Sequence, residues 1–139
     1  MRWGAPFVYG IHSTDSFPTS FAMTEAQFKD RTKQYGLRII RLVEALPDTQ
    51  TASVIGRQLL RAGTSVGANY RAACQGRSTA DTPSKLAIVE EEADETLYWV
   101  EMLIEANIVA EDRLRDLMNE GDEIVAMTVA SLKTLRDQQ

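Results

Sequence analysis

The sequence predicts an all-α protein, an antiparallel up-and-down four-helix bundle, and three observations carry that expectation. Four segments, about 24–46, 49–75, 81–107 and 111–137, repeat apolar residues at alternating steps of three and four, the period of a bundle seam. The connections between them are short, which favours antiparallel neighbours. No stretch shows the period-two, β-branched alternation of a strand.

The first helix begins at Thr24. Gln27 completes a capping box, and Met23 and Phe28 occupy the two positions of a hydrophobic staple. Its seam runs Phe28, Thr32, Tyr35, Ile39, Leu42, Leu46 until Pro47 stops it. Asp48 or Thr49 can cap the second helix, whose seam is Ala52, Ile55, Leu59, Ala62, Val66, Asn69 and Ala73. It ends near Gly76, where a left-handed cap costs least. The third helix can start at Ser78, or at Asp81 or Thr82 with Pro83 in the tolerated first turn. The later start is preferred, leading into Leu86, Val89, Ala93, Thr96, Val100 and Leu103. The fourth runs from Glu111 through Leu114, Leu117, Gly121, Ile124, Thr128, Ser131 and Leu135.

Residues 24–139 form the expected bundle domain. Residues 1–23 lack helical period and contain Pro6, Pro18 and the single histidine, His12, so a flexible leader or upstream extension is expected there. Arg2 precedes a short apolar run broken by Gly4, Pro6 and Gly10, a weak basis for a secretory signal. A lone cysteine, Cys74, cannot form an internal disulfide, which favours a reducing, cytoplasmic compartment. No stretch approaches the roughly 20 apolar residues of a membrane span.

The second helix poses a question. Residues 61–72, RAGTSVGANYRA, contain two glycines and several polar residues, each lowering helix propensity, glycine by roughly 1 kcal/mol relative to alanine. Gly63 and Gly67 form a small-residue step that lets two helix axes approach closely. Ser65 and Asn69 can hydrogen-bond locally or across the contact, Asn69 in the manner of a register-fixing core asparagine. Gly56, Leu60, Gly63, Gly67, Tyr70 and Cys74 add a second stripe beside the seam. Such a surplus implies a wider core or contact with another chain, and oligomerisation is the economical reading. Gly63, Ser65, Gly67, Asn69 and Tyr70 are therefore the expected oligomer or helix-packing interface.

Catalysis finds little support. The run IVEEEADETLYW resembles the carboxylate-bearing helices of di-iron bundles, but those also need Glu-x-x-His motifs on two helices, and His12 lies in the leader. A hard-cation site at Glu91, Asp94 and Glu95 is outweighed by a solvated or arginine-paired face. Cys74 has no histidine partner in the bundle and Ser65 no evident base. No enzyme activity, cofactor, metal or small-molecule substrate is expected.

The net charge of −5 conceals a division. Residues 49–78 carry Arg57, Arg61, Arg71 and Arg77 with no acid, hence +4; residues 79–107 carry eight acids against Lys85, hence −7. Opposite signs on neighbouring segments suggest pairing along a hairpin or between subunits. The alternative function is nucleic-acid binding on a basic surface of helices 1 and 2, with Arg31, Arg38, Arg41, Arg57 and Arg61 as its candidates.

At RAGTSVGANYRAACQGRSTAD followed by SKLAIVEEEADETLYWVEML, the sequence resembles the four-helix-bundle family named for proteins encoded in intervening sequences of 23S rRNA genes. The resemblance spans roughly residues 28–136. It rests on Arg61, Ala62, Ser65, Val66 and Asn69, on Gly76, Arg77 and Ser78, and on Leu86, Ile88 and Glu95. It implies a left-handed antiparallel bundle assembled as a homopentameric ring, with no established catalytic residues. It also brings in a distant relative, the accessory variability protein of diversity-generating retroelements, a basic barrel that binds nucleic acid and a reverse transcriptase. Here Tyr70, Arg71, Ala72 and Ala73 replace the family's commonest Ile-Ala-Glu-Gly after the asparagine. The expected role is a non-enzymatic scaffold or partner-binding module.

Overall fold

The computed structural model describes residues 23–76, 78 and 80–138. The expected leader, save Met23, lies outside them, as does Arg77. The described residues form four α-helices: α1 (Glu25–Glu44), α2 (Gln50–Cys74), α3 (Asp81–Glu105) and α4 (Glu111–Asp137).

Local chemistry fixes the ends. Thr24 accepts from the Gln27 amide while the Gln27 side chain accepts from the Thr24 amide, closing a capping box at the start of α1. Ala45 caps α1 before Leu46 and Pro47, so the helix ends two residues short of the seam's last apolar position. Thr49 caps α2 by accepting from the Ala52 amide at 3.1 Å. Ser78 Oγ accepts from the Asp81 amide, and α3 starts at Asp81 with Pro83 in its first turn.

The C-termini differ from expectation. Gly76 has no left-handed backbone; it is small because a Cβ there would collide with the Thr82 hydroxyl, which donates to the Ala73 carbonyl at 3.2 Å. The left-handed position is Asn107, with φ of 59°, in the turn from α3 to α4. Asparagine tolerates that conformation better than most residues because its short amide can bond locally.

Successive helices pack broadly on one another, whereas α1 and α4 barely touch. The interior they enclose holds Phe28, Tyr35 and Ile39 of α1, Leu59, Val66 and Tyr70 of α2, Leu86, Val89, Val100 and Leu103 of α3, and Ile124 of α4, all fully buried. Each such side chain contributes about 1.5–3 kcal/mol, enough to outweigh the propensity lost at the glycines. Thr32, Thr96 and Thr128 occupy seam positions and are also fully buried. Their hydroxyls donate to the carbonyls of Phe28, Glu92 and Ile124 one turn back, so none of these three hydroxyls is stranded.

The second apolar stripe of α2 is absorbed within the chain. Lying between α1 and α3, α2 needs two faces: Ile55, Leu59 and Val66 join the core while Gly56 and Gly63 are covered by α1. The surplus widens the core, where the sequence reading leaned toward a neighbouring subunit.

Candidate binding grooves flanking the first helix

The small-residue step of α2 faces α1 of the same chain. A Cβ on Gly63 would sit 2.8 Å from the Ile39 side chain, and one on Gly67 would sit 3.2 Å from the Thr32 backbone. Across from them, Gly36 places its own missing Cβ 3.5 Å from the Gly63 carbonyl oxygen. Three glycines thus bring two backbones together. Tyr70, fully buried with its ring edge-on to Phe28 at 4.6 Å between centroids, is a core residue and cannot meet another chain. Asn69 is half-buried and donates to the Ser65 carbonyl at 2.9 Å and the Ser65 hydroxyl at 2.8 Å. Both bonds lie within α2, so Asn69 secures its own helix and not the register between two.

This close approach leaves an outer groove of about 540 Å³ between α1 and α2. Gly36 and Gly67 floor it, Leu37 and Ile40 line it, and Lys29, Lys33 and Arg71 stand around it with no acid among the lining residues.

The opposite flank of α1 meets α4 through few groups. Arg31 holds Glu120 with its Nε 2.9 Å from one carboxylate oxygen, and also pairs with Glu123. The Glu120 hydrogen bond raises the Arg31 pKa against the opposing effect of burial. One turn on, the buried Tyr35 hydroxyl points at Gly121, whose absent Cβ would lie 2.7 Å from it, and has no hydrogen-bond partner among the described residues. Burial raises its pKa well above the usual tyrosine value.

Toward the C-terminal end of α1, the helices leave a second groove of about 470 Å³. Leu42, Leu46, Ile108 and Val109 form its apolar wall and Arg38, Arg41 and Arg113 its charged rim, again with no acid in the lining. None of these arginines forms an ion pair among the described residues.

The five arginines expected on one basic surface are therefore divided. Arg31 is bound to α4, and Arg61 to Glu92, at 3.3 Å, and Glu95 of α3. Charges already paired with carboxylates are weaker phosphate ligands, which counts against both on that surface. Among the described residues Arg57 reaches only the Ser53 hydroxyl, at 3.4 Å. Arg38 and Arg41 remain, joined by a residue that sequence reasoning passed over, Arg113. A signal existed: Arg113 stands in the first turn of α4, where a cation opposes the helix dipole.

The acidic face of α3 is likewise divided. Glu95 accepts from the Trp99 indole at 3.3 Å and, with Glu92, faces Arg61. Outside that pairing Tyr98 is 51% exposed, its ring edge-on to Trp99. Cys74 is 4% exposed, and burial, with Glu25 alongside, pushes its thiol up to about 12, so it is protonated and unreactive at neutral pH. Among the described residues no three His, Cys, Asp or Glu side chains converge as metal ligands, Glu91, Asp94 and Glu95 included. No described helix is long and apolar enough to cross a membrane.

A family model described as 23S rRNA-intervening sequence protein matches residues 24–130. The chain is also similar to a crystal structure of a protein with unknown function from the S23 ribosomal protein family of Bacteroides thetaiotaomicron VPI-5482. The two share 36% sequence identity over 78% of this chain and 97% of that one, with a TM-score of 0.74. No curated protein matches.

Proposed function

The chain belongs to the 23S rRNA-intervening sequence protein family, and from that premise we propose that it is a non-enzymatic, oligomeric scaffold or partner-binding module of the cytoplasm. The observation that carries this reading is the groove at the α1–α4 seam, where three arginines without carboxylate partners among the described residues surround an apolar wall. Interfaces characteristically join an apolar centre to arginine, and solvent alone gives no reason to gather these groups. The antiparallel bundle we assign to each subunit is supported by Thr32 opposite Gly67 and Ile39 opposite Gly63, and by Ala73 bonded to Thr82. Sedimentation velocity over a concentration series tests the assembly: the reading expects a boundary heavier than the 15.5 kDa chain, and a single-chain boundary throughout contradicts it.

A second reading, an accessory protein binding RNA or DNA, draws on the α1–α2 groove, where Lys29, Lys33 and Arg71 are gathered without an acid. Binding through phosphates weakens steeply as salt rises. Affinity for a single-stranded oligonucleotide measured from about 50 to 200 mM salt should fall by at least tenfold if three phosphates are neutralised; no retention at the lowest salt eliminates the reading.

A further inference from the structure

We propose that the arginine-rimmed groove between α1 and α4 receives the outer face of α3 from a second copy of this chain. The inference rests on the association reading above and names the partner at that site. Glu91, Asp94, Tyr98, Glu101 and Glu105 follow one another at steps of three and four, so they share one face of α3. All five are exposed, and none of the four carboxylates forms an ion pair among the described residues. The carboxylates that α3 turns toward its own α2, Glu92 and Glu95, are already taken by Arg61.

The two surfaces are complementary in charge and polarity. One sets Arg38, Arg41 and Arg113 around Leu42, Leu46 and Ile108; the other sets four carboxylates around Tyr98. The tyrosine ring is the most exposed large apolar side chain described. Its burial against the leucines would gain apolar area while arginine forks meet the flanking carboxylates. Within one subunit these surfaces cannot satisfy each other, because no residue of α3 lines the groove and the backbones of α1 and α3 do not closely approach. A contact between unlike patches leaves each copy with one of each still open, so it propagates until the assembly closes.

Reciprocal charge exchange tests this on the full chain. Arg41→Glu with Arg113→Glu makes the groove acidic, and Asp94→Lys with Glu101→Lys makes the stripe basic. Each double variant alone should weaken self-association by about a hundredfold or more, since close like charges at an interface cost several kcal/mol. An equimolar mixture should regain association, because each variant retains the surface the other has lost. Circular dichroism melts verify that these exposed substitutions leave the fold intact, and if either pair unfolds, Arg41→Gln mixed with Glu101→Gln gives the same readout in weaker form. Wild-type assembly that survives in both variants, or loss in both with no recovery on mixing, overturns the groove-to-stripe contact while leaving association standing. A wild-type chain that never associates overturns both readings, even if an unrelated acidic helical peptide then occupies the groove.

Discussion

The glycines of α1 and α2 differ sharply in what a methyl group would meet. At Gly63 a Cβ meets the Ile39 side chain at 2.8 Å, close to a β-branched carbon that rotation cannot move aside. At Gly36 the nearest atoms are at 3.5 and 3.6 Å, ordinary van der Waals distance. Gly36→Ala should therefore stabilise by about 0.5–1 kcal/mol through reduced backbone entropy alone. Gly63→Ala should destabilise, overpacking at about 1–3 kcal/mol outweighing that gain. Urea denaturation of both variants checks the contrast, and equal shifts would refute the close-approach account. Tyr35→Phe removes a buried hydroxyl that has no described partner, so we expect unchanged or slightly higher stability in the same assay. The sequence made the small-residue step visible because composition at fixed spacing is a local property. It could not show which helix approached, since period identifies a face but not its neighbour, and so Tyr70 and Gly63 were expected at an interface either between chains or between helices of one chain.

Among the elements, α1 is the least uniformly held: it packs closely on α2 yet meets α4 chiefly through Arg31 and Tyr35. The Arg31 pair is part-buried, with side chains 22% and 18% exposed for Arg31 and Glu120, whereas Arg61 is half-exposed. Glu120→Gln should thus cost about 1.5–3 kcal/mol and Glu95→Gln no more than about 1 kcal/mol. Chemical denaturation of the two variants decides this, and an equal cost would show that Arg31 does not fasten α1 to α4. Helix limits were the most legible feature of the chain, because the capping box at Thr24, the cap at Thr49 and the start at Asp81 are decided within four residues. The Arg31–Glu120 pair was illegible for the opposite reason: its partners stand 89 positions apart, and neither residue is unusual in its own helix.

For the molecule as a whole, burial of protonated acids sets a high-pH limit. Cys74 is raised from 9.0 to about 12, and burial raises Tyr35 and Tyr70 as well. The unfolded chain releases these protons first, so the stability they contribute is intact below about pH 9 and is lost as pH climbs toward 12. Melting temperature should decline across that window, and less steeply in Cys74→Ala; identical slopes would remove the thiol from the account. The all-α class and the opposed charges of α2 and α3 were readable from composition and period. The groove at the α1–α4 seam was not, because it depends on how little two helices distant in sequence touch. Side-chain footprinting of the wild-type chain as concentration rises tests most directly whether that groove is where the protein does its work. We predict falling modification of Leu42, Leu46 and Ile108 as chains associate, with Val54, an exposed residue of α2, unchanged. Constant labelling of the groove through a measured rise in mass would contradict us.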